Sequence, residues 1–211
     1  MKKKYLLMGV TATMVVAVAV SGSLAAISAS GRQATNKLAA PELEVGVTNA
    51  AFEIDAGSKI VPGDALDESA TKFTVSNTQD ISEYTRVTVR KYWTDENGEK
   101  DMTKDASLLT LDVSGSWLEA EGGVSFSSGE TDVFYLSTPL DAGQSVELPL
   151  TIQVANEVDD SYQNYHIELE VSVDSVQYVS GENELNQKGI ESTFGVLATL
   201  NSDGSIQSLA Q

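Results

Sequence analysis

The sequence predicts an all-β protein, an antiparallel two-sheet sandwich of jelly-roll type that follows an N-terminal signal peptide. Three observations predict it: about ten short segments of alternating apolar and polar residues, turn signals between them, and no long helical period after the signal. A strand sends successive side chains to opposite faces, so alternation fits sheets with one buried and one exposed face. The pattern is typical of a sandwich or jelly roll and not of an α/β enzyme core.

The first 25 residues have the layout of a secretory signal peptide. Lysines at positions 2–4 form a positive start, residues 5–20 are apolar, and small residues follow. Cleavage is expected between Ala25 and Ala26, with Ser28 and Ser30 as alternative ends of the signal. The alternative is an uncleaved anchor, because the apolar stretch nearly spans a bilayer. Contact with a membrane is expected only through such an uncleaved signal.

The remaining chain divides into three predicted parts. Residues 26–41 are small and polar, so this leader is either floppy or becomes ordered by adding to a sheet. Residues 42–200 carry the predicted strands and form the jelly-roll domain. Residues 201–211 are expected to be a flexible tail.

Strands are predicted from the alternating segments in chain order. The long ones are expected at Tyr84–Trp93, Gln144–Val154 and within Ser161–Val179. The turn signal at Asp95–Gly98 predicts a hairpin, and residues 182–191 are expected to be a loop or a short helix. Shorter strands are expected around Leu43–Val47, Phe52–Ile54, Lys72–Ser76, Leu109–Val113, Val124–Phe126, Val133–Leu136 and Phe194–Leu200.

Two of the long strands contain an irregularity. Around Asp174 and Ser175 the apolar residues change from odd to even positions, and a β-bulge would keep both halves facing one core. The alternative is that one strand ends at Asp174 and another begins. Pro149 lies on the polar phase of its strand, which predicts an edge strand or a local bulge because proline cannot donate to the ladder.

The charge of the chain is strongly negative. It has 13 basic and 31 acidic residues, and removal of the three signal lysines leaves 10 against 31, a net charge of −21. This balance excludes nucleic acid and anionic membranes as partners. Because such subunits repel one another, assembly is expected to be favoured by salt, lower pH or divalent cations. Three basic residues, Arg86, Arg90 and Lys91, are expected to lie on a solvated strand face, and the alternative is that this cluster receives an acidic neighbour.

Few residues suggest catalysis or metal binding. The single histidine, His166, lies on the polar phase of its strand. An H-E-x-x-H zinc motif is excluded because it needs two histidines. There is no cysteine, so the fold must be held by core packing or assembly. Neither catalytic residues nor a cofactor are predicted. Calcium is the open alternative, with Glu157, Asp159 and Asp160 as weak candidates that lack the spacing of an EF-hand loop.

Several motifs together resemble the TasA/camelysin family of proteins exported by Gram-positive bacteria. The similarity extends over nearly the whole chain. Its most specific part is Tyr162-Gln163-Asn164 leading into Ile167–Val171 and ending at Gln177. The other matching segments are Gly22–Ala25, Val61–Asp64, Phe73–Asn77, Tyr84–Val89 and Phe194–Val196.

The resemblance implies a jelly-roll subunit that polymerises into extracellular matrix or cell-surface fibres by donor-strand complementation. The implied donor strand is the start of the mature chain, which fills a groove in the next subunit through Ala26, Ile27, Ala29, Gln33, Thr35 and Leu38. The implied location is the biofilm matrix or cell surface of a Gram-positive bacterium, and the implied partners are further copies and matrix or cell-wall components. Two alternatives stay open: a camelysin-like cell-surface metallopeptidase and a monomeric ligand-binding β-sandwich.

Overall fold

The structure is a computed structural model that describes residues 45–49, 63, 65–66, 72–120 and 129–210. All of them belong to one unit of the chain, residues 39–211. Side chains are described at Gly63 and in residues 73–120 and 129–210. The predicted signal peptide, the leader, and the strands expected around Phe52 and Val124 lie outside the described residues.

Eleven strands and one helix make up the described regular structure. Short 3-10 turns at Ala106–Leu108 and Asp160–Tyr162 lie between strands. The elements are β1 Val45–Asn49, β2 Ala65–Leu66, β3 Lys72–Asn77, β4 Glu83–Thr94, β5 Leu109–Val113, β6 Trp117–Leu118, β7 Thr131–Leu136, β8 Ser145–Val154, β9 His166–Gln177, α1 Asn183–Phe194, β10 Leu197–Leu200 and β11 Ile206–Ala210.

Two antiparallel sheets contain most of these strands. The first has the order β1-β3-β8-β2, with β5 also pairing with β8, and the second has the order β6-β7-β4-β9. Their inner faces share one apolar core, to which Phe73 and Leu148 contribute from the first sheet and Val87 and Phe134 from the second. The prediction of a β-rich fold with antiparallel sheets around a common core is confirmed.

The second sheet is also covered on part of its outer face. A separate apolar cluster joins Tyr84 and Tyr135 of that sheet to Ile190 and Phe194 of α1 and to Leu209 of β11. Because successive residues of a strand face opposite sides, Tyr84 serves this second cluster, while Val87 of the same strand serves the first. One end of the second sheet is therefore buried on both faces.

Burial on both faces explains the irregularity in β9, and the predicted β-bulge is wrong. The register between β4 and β9 is unbroken from Glu83 opposite Gln177 to Thr94 opposite His166. Val173 packs against the core between the sheets, whereas Val176 packs against the outer cluster. The apolar residues change phase because the strand changes the face that it buries.

Pro149 lies in an inner strand, so the prediction of an edge strand is wrong. β8 has β3 and β2 as neighbours on one side and β5 on the other. The β3 ladder ends at the pair Lys72 and Pro149, and the β5 ladder begins only at Leu150. A proline is tolerated there because the partner strands of β8 change at this residue.

The C-terminal residues are ordered, so the prediction of a flexible tail is wrong for β11. This strand pairs with β10, and its residues Ile206 and Leu209 are buried. The segment expected to be a loop or a short helix forms most of α1. The helix is capped by Gly195, whose positive φ of 73° allows its N–H to bond to the carbonyl of Glu191.

Candidate assembly surface

Strand β9 lies at one edge of the second sheet. In the described part of the chain, β4 is the only strand that pairs with it. Just beyond its end, Tyr178 N donates to Ser82 O at 2.9 Å. Antiparallel strands alternate in the direction of their hydrogen bonds, so even-numbered residues of β9 bond to β4. Its odd-numbered residues direct their N–H and C=O groups to the other side, along a strand of 12 residues.

The inner face of this edge strand is incompletely covered. Leu169, Val171 and Val173 pack against the core between the sheets but are only half-buried. On the neighbouring strand β4, Val87 and Val89 are 0% exposed. Burial therefore decreases towards the edge. These three residues, here called the β9 strip, leave apolar surface beside an edge with which no further described strand pairs.

The edge strand of the other sheet lies on the same side of the sandwich. β1 contacts β9 across the two sheets and pairs with β3 in its own sheet. In the described residues no strand pairs with the outer edge of β1. Among the described residues two strand edges and the β9 strip thus occur together, and β1 and β9 do not pair with each other.

The outer face of β9 is acidic and partly paired with its neighbour. Glu168 is exposed, and Glu170 accepts hydrogen bonds from Arg90 Nη1 at 3.3 Å and from Tyr92 OH at 2.9 Å. Burial and the hydrogen bond to Glu170 raise the pKa of Tyr92 to about 12. The face exposes more negative than positive charge, which opposes the approach of a second acidic subunit.

The basic residues of β4 are paired, so the prediction that they lie on a solvated face is wrong for two of the three. Arg86 Nη2 lies 2.7 Å from Asp174, with 23% of the arginine side chain exposed. Arg90 remains half exposed beside Glu170. Lys91 Nζ lies 2.6 Å from Asp132 Oδ2, and its side chain is 5% exposed.

The Lys91 ion pair lies at the margin of the core and joins β4 to β7. A second acid, Glu119, lies close enough that Asp132 contributes to the rise in its pKa, after burial as the main cause. Lys91 lowers the same pKa to a smaller extent. The pair is structural: loss of either partner would leave a poorly solvated charge.

The C-terminal segment is attached to the outer face by polar contacts as well as by apolar packing. Arg86 Nη1 donates to Phe194 O at 3.1 Å, and the guanidinium lies 5.0 Å from the centre of the Phe194 ring. Tyr84 OH donates to Gly204 O at 2.7 Å, and burial raises the pKa of Tyr84 to about 12. The side-chain amide of Asn186 bonds to both backbone groups of Val179.

The predicted cleavage and donor residues lie outside the described part of the chain. These are Ala25 and Ala26 for cleavage and Ala26, Ile27, Ala29, Gln33, Thr35 and Leu38 for the donor strand.

The three calcium candidates lie in and beside the 3-10 turn before β9, and all are exposed. Asp159 Oδ1 accepts from Ser161 N at 2.8 Å, and contacts to Ser161 lower the pKa of Asp159. Glu157 and Asp160 complete the candidate set. Within the described ranges no group of three or more acidic, histidine or cysteine residues could hold a metal ion.

His166 begins β9 opposite Thr94 and is exposed, as its position in the sequence predicts. Thr94 Oγ1 contacts its backbone carbonyl at 3.5 Å, not the imidazole. Sequence reasoning recognised β9 as a long two-faced strand. It missed that β9 is an edge, because the neighbours of a strand are not encoded in its own periodicity.

Comparison with known proteins finds no matching family model, curated protein or solved structure. Among the described residues, no helix is both long and apolar enough to cross a membrane.

Proposed function

We propose that this chain is an exported structural subunit that assembles into extracellular fibres by strand addition. A strand from one copy pairs with the free edge of β9 in the next and covers the β9 strip. The single observation that carries the proposal is the coincidence of a 12-residue strand edge with half-buried apolar side chains along its inner face. The jelly-roll type of the sandwich remains part of the same prediction.

Backbone pairing supplies the affinity in this kind of contact. An added strand bonds to the outward N–H and C=O groups of the odd-numbered residues, and its own side chains alternate between the two faces. Those that face inward would cover Leu169, Val171 and Val173. Strand addition from subunit to subunit repeats without closing, so it produces filaments.

The path of the chain after β9 supports an edge that stays available. From Tyr178 the backbone continues into α1 and the β10–β11 hairpin, which pack on the outer face of the sheet. Both later strands pair with each other and not with β9. The C-terminal segment of the same subunit is thus engaged elsewhere.

The start of the mature chain is the proposed donor. Residues 26–38 contain Arg32 and Lys37 and no acidic residue. This positive segment is complementary to a chain whose remainder is strongly acidic, and to the acidic face of β9 in particular. Small side chains of the donor, such as that of Ala29, would fit against the β9 strip, whose side chains are already half-buried.

The test compares two forms of the mature protein by electron microscopy and sedimentation. Residues 26–211 should form filaments, whereas residues 39–211 should remain as discrete particles under the same salt and pH. A peptide of residues 26–38 should bind to the shorter form without producing filaments. Equal assembly of the two forms would contradict the proposal.

A pair of variants tests the edge itself. Val171→Lys places a charge in the β9 strip, and inward charges are a natural device against edge pairing. Ser172→Lys places the same charge one residue away on the exposed outer face. Val171→Lys should abolish filaments while the folded subunit is retained, and Ser172→Lys should assemble. Filaments of Val171→Lys indistinguishable from the wild type would exclude β9 as the acceptor.

A further inference from the structure

Glu83 is an unusual carboxyl group at the end of the sandwich where β4 begins. Its side chain is 0% exposed, and it is the only acidic residue among the buried residues of the described chain. Its phase along β4 matches that of Val87 and Val89, so it faces inwards between the sheets. Acidic side chains are almost never fully buried unless they are paired.

The hydrogen bonds of Glu83 are incomplete for an ionised carboxylate. Ser175 Oγ donates to Oε2 at 2.8 Å, whereas Oε1 has no partner. Thr85, the next inward residue on β4, is buried as well, and its Oγ1 is also without a partner. An unpaired oxygen is much more costly in a buried carboxylate than in a neutral carboxylic acid.

No opposite charge compensates for this burial in the described surroundings. On β9, Ser175 donates to Glu83 and Gln177 lies opposite Glu83 in the ladder, and neither is charged. Asp174 faces outwards and is paired with Arg86. Asp141, on the connection between β7 and β8, accepts from Ser82 Oγ at 2.9 Å. β1, with the sequence VGVTN, has no titratable residue. Burial raises the pKa of Glu83, and the Ser175 hydrogen bond opposes the rise only in part.

Glu83 also lies where several segments are joined through the backbone. Glu83 N donates to Leu140 O at 3.0 Å, and Leu140 N donates to Glu83 O at 2.8 Å. The buried Asn77 at the end of β3 donates from Nδ2 to the same Leu140 O and to Ile81 O. Separation of β3, β4 and the β7–β8 connection at this end would therefore expose Glu83 to solvent.

We propose that Glu83 is a proton-dependent latch: the closed end of the sandwich holds it as the neutral acid, and opening of that end releases its proton. The latch is independent of strand addition, since it concerns the folding equilibrium within one subunit. It makes this end most firmly closed at acidic pH, where the assembly of an acidic protein is also expected to be favoured.

The direction of the effect follows from proton linkage. Below the ordinary pKa of a glutamate, about 4.3, both states are protonated and pH has no effect on opening through this group. Above it, the open state loses its proton first, and the opening constant rises up to tenfold per pH unit. The rise ends when pH reaches the higher pKa of the closed state.

The test is hydrogen exchange of the mature protein at the amides of Glu83, Leu140 and Tyr178 from about pH 4.5 to about pH 8, corrected for intrinsic exchange. In the wild type the protection at these amides should fall with pH by up to tenfold per unit and then level off. Glu83→Gln keeps the shape without the charge and should remove this dependence. Ser175→Ala removes a bond that favours the ionised form, so it should move the levelling point to higher pH.

Glu119→Gln is the matched control, because its carboxyl also has a raised pKa but belongs to an exposed residue beside the Lys91 pair. It should leave protection at the three amides unchanged. A direct carbon-13 titration of Glu83 in the wild type does not depend on any variant folding. A Glu83 midpoint at or below the ordinary value, or unchanged pH dependence in Glu83→Gln, would overturn the proposal.

Discussion

Arg86 should be the most important single polar residue for holding the C-terminal segment on the sheet. Its guanidinium makes three kinds of contact, and only 23% of the side chain is exposed. Nε and Nη2 both donate to Asp174 Oδ2, Nη1 donates to Phe194 O, and the group stacks over the Phe194 ring. The Phe194 carbonyl is at the last turn of α1, where carbonyls lack partners within the helix and favour a cation.

The cost of Arg86→Met can be built from these contacts. A hydrogen bond from a charged group, such as that from Arg86 to the partly buried Phe194 carbonyl, is worth about 1.5–3 kcal/mol. A partly exposed ion pair adds up to about 1 kcal/mol, and a cation–π contact adds about 0.5–1 kcal/mol. Methionine keeps the apolar stem, so packing losses are small. We expect a loss of about 3 kcal/mol, because such contributions overlap in part.

Urea unfolding of the mature monomer measures the effect, and Arg90→Met is the control. Arg90 occupies the same face of the same strand and also has an acidic partner, but both side chains are about half exposed, at 52% and 53%. Its loss should cost less than about 0.5 kcal/mol. The Arg86→Met and Asp174→Ala pair should couple by about 1 kcal/mol in a double-mutant cycle. Equal losses for Arg86→Met and Arg90→Met would refute the anchoring role.

Three further predictions follow from other contacts. Tyr84→Phe should lower the unfolding free energy by about 1–2 kcal/mol, since it leaves the Gly204 carbonyl without its 2.7 Å donor; Tyr178→Phe, whose contact is 3.4 Å, should cost little. Hydrogen bonds from Tyr165 and Thr103 lower the pKa of Asp101 to about 2. The ionised Asp101 therefore stabilises the folded state above the ordinary pKa of an aspartate, and this stabilisation is lost as pH falls towards 2. Asp101→Asn should consequently lose less stability in acid than the wild type. Light scattering of the mature protein should increase faster with added salt or lower pH, and fastest assembly at low salt and alkaline pH would contradict this.

Much of the strand content could be predicted because it depends on local alternation. The strands at Lys72–Asn77 and Leu109–Val113 have almost the predicted bounds. The Asp95–Gly98 turn forms as expected, with Gly98 N bonded to Asp95 O and a positive φ of 76°. In these segments the side-chain period and the turn residues already contain the physical cause.

The sequence predictions were wrong where segments distant in the chain determine whether a side chain is buried. The partner of Arg86 is 88 positions away in the chain, so its burial could not be read from β4 alone. Val176 and Tyr178 suggested a bulge because the sequence does not indicate that a later helix will cover the outer face. One signal was available for the C-terminal hairpin: Asp203-Gly204 is a turn dipeptide, and Gly204 has a φ of 83°.

The inward position of Glu83 was also visible in the sequence. It precedes Val87 and Val89 by whole steps of two residues, so the strand period alone places its side chain on the apolar face. What the period could not give is the lack of a partner for Oε1, because that depends on β9, β3 and the β7–β8 connection together. A charged residue in the apolar phase of a strand is thus a sign of either an edge device or a buried titratable group.

The edge of β9 and the negative charge of the protein have opposite effects on assembly. A long edge strand with partly exposed apolar side chains pairs with other chains unless something prevents it. β9 has no proline and no bulge, and its unbroken register with β4 leaves it regular. In the described part of the chain β1 lies beside it, and the acidic surface adds repulsion between subunits. Salt and protons weaken that repulsion without altering the edge, so they should change the rate of assembly while the contact that forms stays the same.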